Sequence, residues 1–197
     1  MFYLKYMLKK VAGFTLIELL VAITILAVVS GVGYTTYSKA QIASRDAKRK
    51  QDLRSIAAAL DLYRQQNKRY PCTTITTDYT APANWRDSSS GGFWLTDTGC
   101  GGTTVNFDAN YINQMPVDPL KNTGNPALNP SLFGYAYWSG ITSAAPCPVG
   151  TAVYYILATR LENDRDKDRN GSVSYRFCDG STLLFSSNPD LYIVTSQ

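Results

Sequence analysis

The sequence contains no histidine. Its absence excludes a Ser-His-Asp site, a Cys-His nucleophile and a His-Glu-x-x-His metal site. Cysteine is scarce: Cys72, Cys100, Cys147 and Cys178 lie far apart, with no Cys-x-x-Cys, which argues against zinc. Gly-x-x-x-x-Gly-Lys-Ser/Thr does not occur, and the Gly99–Gly102 run lacks the strand–turn–helix setting of a phosphate loop. Only 17% of residues are charged, and the net charge of +4 is uneven. From Ser55 onward there are ten basic and twelve acidic side chains, so this part is no basic nucleic-acid platform. Carboxylates are scattered except around Asp164–Asp168, so no acid–base pair can be read off the chain.

What the sequence does have is one long apolar run. Lys9 and Lys10 come first, then Gly13, then Phe14 to Tyr34 with a single charge, Glu18. Twenty-one helical residues span about 30 Å, enough to cross a bilayer core. A carboxylate deep in such a helix costs about 2.5–3.5 kcal/mol on insertion scales. Cleavage between Gly13 and Phe14 would place a new amine about one helical turn from Glu18, where it offsets that cost. Two plainer readings compete. A secretory signal peptide cut after Ser38-Lys39-Ala40 has too long an apolar core for the 7–15 residues such segments carry. A simple single-pass anchor satisfies the length but leaves Glu18 unexplained.

The stretch GFTLIELLVAITIL resembles the leader motif of type IV pilins and of the major pseudopilins of type II secretion. The resemblance rests on Gly before the cut, an aromatic after it, Glu at the fifth place and basic residues ahead. It implies removal of residues 1–13 by a prepilin peptidase, N-methylation of Phe14, and a role for Glu18 in assembly. ALDLYRQQNKRYP, MPVDPLKN and YAYW are similar to the helix end and the start of the sheet in major pseudopilins. The chain departs from them at Thr35, where many members have proline, and in its four cysteines.

The chain divides, on this reading, into a leader (1–13), an assembly half of a long helix (14–36), an amphipathic half (37–67) and a head (68–197). Gly31 and Gly33 offer a place for the helix to bend or melt. Leu53, Ile56, Ala57, Leu60 and Tyr63 form an apolar stripe, with Arg49, Asp52, Arg54, Asp61 and Arg64 as its polar counterpart. Asp46 and Lys50 are spaced for an i, i+4 pair. The cluster from Arg45 to Lys50 reads as a solvated helix face, or as cations near lipid head groups before assembly. Asn67 and Pro71 end the helix. Residues 72–110 read as a long loop, with Trp85, Phe93, Trp94 and Leu95 as anchors.

Strands follow. Phe133–Trp138, Ala152–Ala158, Val173–Phe177, Thr182–Phe185 and Leu191–Thr195 carry strand patterns, the second apolar on both faces as a central strand would be. Asn163–Gly171 reads as a hairpin between the second and third. The expected fold is α+β and pilin-like, a long N-terminal helix packed on a small antiparallel sheet. Four cysteines permit three pairings. Cys72–Cys100 and Cys147–Cys178 are expected, as two disulfides of an exported domain.

The turn Asn163–Gly171 also holds a candidate calcium site. From Asp166, Asp-x-Asp-x-Asn-Gly matches the first half of a calcium loop. Asp164, Asp166, Asp168 and Asn170 are the expected ligands; Phe177 stands where the bidentate Glu of an EF-hand would be. The competing reading is a solvated hairpin tip with self-compensating charges. Calcium in the loops of this C-terminal region is also implied by the pseudopilin resemblance.

The expected function is structural. The precursor sits in the cell membrane as a single-pass protein and polymerises through Phe14–Tyr34 into a homopolymeric filament, in the periplasm or at the cell surface, with an inner-membrane assembly platform as a further partner. No cofactor is required beyond possible calcium. The rivals are a DNA-uptake or adhesive module, opposed by the net negative head, and a membrane-anchored exported enzyme, opposed by the missing histidine.

Overall fold

The computed structural model describes residues 13–73, 86–87, 96–97, 105–107, 111–120, 126, 132–139, 152–170, 172–176, 182–186 and 189–196. The chain forms two compact units, 1–41 and 42–197. One helix, α1 (Leu16–Asn67), supplies nearly all of the first unit and the N-terminal element of the second.

From Leu19 to Val29 α1 is apolar around its circumference, and none of the described residues covers it. Leu26 is 63% and Val28 70% exposed. The segment is long and apolar enough to cross a membrane, and none of it is buried. Helical structure continues through Gly31 and Gly33, so the glycines do not melt it. A methyl built at Gly31 would meet nothing within 4 Å, so no close packing inside the chain requires that glycine.

The second unit begins at Ile42 and is built on the expected stripe. Leu53, Ile56, Leu60 and Tyr63 are buried and Ala57 half-buried, with Ala59 joining them. These side chains recur every three or four residues, which keeps them on one face of the helix. The helix ends at Asn67, and Lys68 takes a left-handed φ of 61° while its amide donates to the Arg64 carbonyl at 2.8 Å. That is an αL cap made by a lysine, where glycine is the usual residue.

Four antiparallel strands form the main sheet in the order β1-β4-β5-β8. They are β1 (Arg86–Asp87), β4 (Tyr135–Trp138), β5 (Ile156–Arg160) and β8 (Leu191–Thr195). Two two-stranded ribbons are separate from it, β2 (Thr96–Asp97) with β3 (Val105–Asn106), and β6 (Ser172–Arg176) with β7 (Thr182–Ser186). Register puts Tyr137, Leu157 and Val194 in one row and Tyr135, Thr159 and Tyr192 in the next. Tyr135, Tyr137, Leu157, Tyr192 and Val194 meet the helix stripe in one apolar core. Tyr70 packs edge-on to Tyr155 at 4.8 Å between ring centroids, and Phe107 and Tyr111 stack at 5.4 Å beside Tyr63. Ile156, Leu157 and Ala158 are all buried, as a strand covered on both faces must be.

The fold is α+β and pilin-like, a long helix with an apolar stretch packed on a small antiparallel sheet. Two details differ from the sequence reading. The stretch 72–110 is not loop throughout, since it carries β1, β2, β3 and the buried Phe107. Asn163–Gly171 does not turn a hairpin, because β5 pairs with β4 and β8 while β6 pairs with β7. Trp85, Phe93, Trp94 and Leu95 lie outside the described residues, as do Cys100, Cys147 and Cys178. Cys72 is buried and disulfide-bonded.

Candidate functional site: an apolar assembly helix and the clasp of the head

Glu18 lies in the first turn of α1. The Thr15 amide and hydroxyl both donate to its Oε2, at 2.8 and 2.7 Å, and the Glu18 amide donates back to Thr15 Oγ1 at 3.3 Å. Thr15-Leu16-Ile17-Glu18 is a capping box, in which two otherwise orphaned amides find partners. The sequence reading gave Glu18 a partner only after cleavage, in the new Phe14 amine. The Thr-x-x-Glu spacing was the signal that could have found one. Gly13 and Phe14 precede the helix, and both are exposed. The described part of the first unit therefore presents Gly13 and Phe14, a capped carboxylate and then a helix that is apolar on all sides through Val29.

The second unit holds its charged residues differently. Arg49 is fully buried. Its Nε and Nη2 donate to the two oxygens of Asp118 at 2.6 and 3.0 Å, a fork on a carboxylate. Nη1 reaches Asp46 at 2.8 Å and Glu162 at 2.6 Å. The guanidinium lies 4.7 Å over the Phe133 ring. Arg45 makes a second fork, on Glu162, at 2.8 and 2.6 Å. Asp46 turns its carboxylate to the backbone and accepts from the amides of Glu162 and Asn163 at 3.0 and 2.9 Å. Lys50 Nζ lies 2.7 Å from both oxygens of Asp166 and 2.7 Å from Asp168 Oδ2.

These contacts overturn the reading of Arg45–Lys50 as a solvated face. They also move Arg49 from the polar side of the helix to the buried one, and they replace the expected Asp46–Lys50 pair with contacts to the 162–168 segment. The spacing contained the information. Asp46 and Arg49 continue the 53-56-60-63 stripe upstream by steps of four and three residues. A charge on that line is pointed at the sheet, and it is tolerated only if the sheet returns an opposite charge. Asp118 and Glu162 do so, and neither could be located from sequence, since they are 69 and 113 residues from Arg49.

Titration reflects this geometry. Burial works to lower the Arg49 pKa, but the bonds to Asp118 and Glu162 outweigh it and raise it. Burial pushes the Glu162 carboxyl up, and the two arginines more than reverse that, leaving it below the usual carboxylate range. Asp52 is the opposite case. Its burial raises it, even though the Tyr135 hydroxyl donates to it at 2.5 Å.

The four candidate calcium ligands do not converge. Asp166 and Asp168 face Lys50. Asn170 accepts from the Ile193 amide at 2.8 Å and donates to its carbonyl at 3.2 Å. Asp164 is exposed. Among the described residues no group of three or more His, Cys, Asp or Glu is arranged to hold a metal ion.

The prokaryotic N-terminal methylation motif family matches residues 8–34. The type II secretion system core protein G of Pseudomonas aeruginosa is 27% identical over 122 residues, 58% of this chain and 71% of that protein. The protein of the same name from Aeromonas hydrophila is 28% identical over 133 residues, 64% of this chain and 78% of that protein. No solved structure matches the chain. Most of the matched motif, from Leu16 on, lies in the exposed apolar half of α1, and the matches to the two relatives are longer than that motif. The chain is similar to these type II secretion core proteins G and carries a prepilin-type N-terminal methylation motif.

Proposed function

We propose that this chain is the repeating subunit of a type II secretion pseudopilus. A prepilin peptidase cuts the membrane-anchored precursor between Gly13 and Phe14, and Phe14 is then N-methylated. The inner-membrane assembly platform lifts the subunit out of the bilayer, and the filament is carried in the periplasm. The observation that carries this reading is the bare apolar surface of Phe14–Val29, with Phe14 at 88% and Leu16 at 82% exposed. Out of lipid, such a surface must be covered, and equivalent segments of other copies cover it without a closed ring. The relatives named as secretion core proteins support pseudopilus over surface pilus.

The cut also has a local consequence. Thr15 satisfies Glu18 in the uncut chain. A new amine on Phe14 adds a cation one turn away, so the carboxylate passes from a neutral partner to a charged one. Intact mass of the purified filament subunit tests the processing: a chain that begins at Phe14 is expected, and one that begins at Met1 or Gln41 overturns it. Glu18→Ala is expected to leave membrane insertion intact or improved, since a charge leaves the apolar segment, and to cut filament number sharply. Normal filaments in normal number from that variant would remove the role of Glu18.

A further inference from the structure

The segment Asn163–Asn170 has the oxygen spacing of a cation loop, but two of its carboxylates are already neutralised by a lysine of α1. Asp166 and Asp168 carry three oxygens that each lie 2.7 Å from one nitrogen, Lys50 Nζ. The lysine comes from α1, 116 residues away in sequence. Its ammonium also sits 5.8 Å from the Tyr192 ring centroid, on the aromatic face where a cation is favoured. The side chains of Lys50 and Asp166 are only 15% and 16% exposed, so water does little of the neutralising there, while Asp168 is 42% exposed and shares its charge with solvent.

The loop's own backbone is shaped around this contact. Asn163 Oδ1 accepts from the Arg165 amide at 3.1 Å, and Asp166 Oδ1 accepts from the Asp168 amide at 2.9 Å. These are two successive Asx turns. They bring Asp166 and Asp168 to the same side, while Arg165 and Lys167 stay in solvent. Arg169 is drawn off by Asp190. The cations inside the loop are therefore not the ones that neutralise its inward carboxylates; the helix is. Asn170 is committed to the Ile193 backbone in both directions and is not available to a metal.

We infer that Lys50 is a resident cation. It takes the place a divalent ion would occupy between Asp166 and Asp168, and it makes this loop independent of calcium while fastening it to the helix. A hard cation needs six to eight oxygens, and here two carboxylates share one ammonium whose three protons suit the three oxygens. Removing the ammonium leaves two carboxylates facing each other on a preformed turn, which is a surface that attracts calcium. This inference does not depend on the pseudopilus assignment.

The test is thermal unfolding of the full-length protein in detergent micelles, followed by near-ultraviolet circular dichroism, in millimolar calcium chloride and in excess EGTA. Wild type is expected to melt at the same temperature in both. Lys50→Met is expected to melt about 3–8 °C lower in EGTA and to recover part of that loss in calcium, as a ligand of the native state must cause. Lys50→Arg keeps a cation and is expected to ignore calcium. A wild-type melting temperature that rises with calcium overturns the inference, as does a Lys50→Met protein unchanged in EGTA or indifferent to calcium. Should Lys50→Met fail to fold, Asp168→Asn decides the same point with wild type. It leaves Asp166 on Lys50 and is expected to lose less stability, equally with and without calcium; a calcium-dependent loss would overturn the lysine's role.

Discussion

Leu26 and Leu60 stand on the same helix, Leu26 63% exposed and Leu60 fully buried. The first half of α1 puts apolar residues on every side, and the second puts them on one. The chain itself covers only the second kind. A stripe needs one partner surface, and a single small sheet supplies it. A cylinder that is apolar all round needs partners on all sides, which one chain of this size does not provide. The uncovered half is thus not a defect of packing but the part of the molecule whose partner is lipid or another copy.

The charged residues repeat the contrast. Glu18 is served by its own neighbour Thr15, within one turn. Arg49 is served from Asp118 and Glu162, which the fold must bring from far along the chain. Local capping survives any change in tertiary structure, whereas the clasp exists only when the head is folded.

Four experiments break or sharpen this comparison. The largest effect is expected at Arg49. Arg49→Met strands Asp118 and Asp46 in a buried site, and removing one partner of such a group costs about 3–5 kcal/mol. Chemical denaturation of the full-length protein in detergent should register a loss of that size in the head. A loss under about 1 kcal/mol would place the ion pairs with ordinary surface pairs instead.

The second experiment makes one substitution in both halves of the helix. Leu60→Ala should cost about 2–5 kcal/mol of head stability, the range for a buried leucine. Leu26→Ala should change head stability by less than about 0.5 kcal/mol, as exposed positions do, while reducing filament yield. Equal losses of stability at both sites would show that the two halves are not independent.

Acid titration is a smaller and more diffuse effect. Asp166, like Glu162, has its pKa pulled below the ordinary value: burial raises it, but the Lys50 ammonium more than compensates. Their stabilising contribution is therefore complete above the ordinary values of 4.5 for Glu162 and 3.8 for Asp166. It is lost as pH falls through the lower folded values. Asp52, raised by burial, runs the other way and gains on acidification. The melting temperature should hold level at neutral pH and fall below pH of about 4. Glu162→Gln should flatten that fall; an unchanged acid limb would remove Glu162 from its cause.

The smallest effect is at the end of the helix. Lys68 is an exposed lysine at φ 61°. Lys68→Gly relieves the left-handed strain at some cost in chain entropy, and a net gain of about 0.5–1 kcal/mol is expected. A destabilised variant would mean the lysine side chain contributes more than its backbone costs.

The sequence by itself determined the elements that depend on local pattern. The apolar run, the stripe from Leu53 to Tyr63, the stop at Asn67 and the strands around Tyr135–Trp138 and Leu191–Thr195 were all legible, because periodicity and breakers act over a few residues. The prepilin-type motif was legible for the same reason: its residues are contiguous. Tertiary structure alone decided which strands pair, that 163–170 leaves β5 without a hairpin, and that Arg49 and Lys50 point inward. The last of these turns on which carboxylate lies opposite which cation after folding. Charge attraction carries no sequence period, and its partners stand 69 to 118 residues apart.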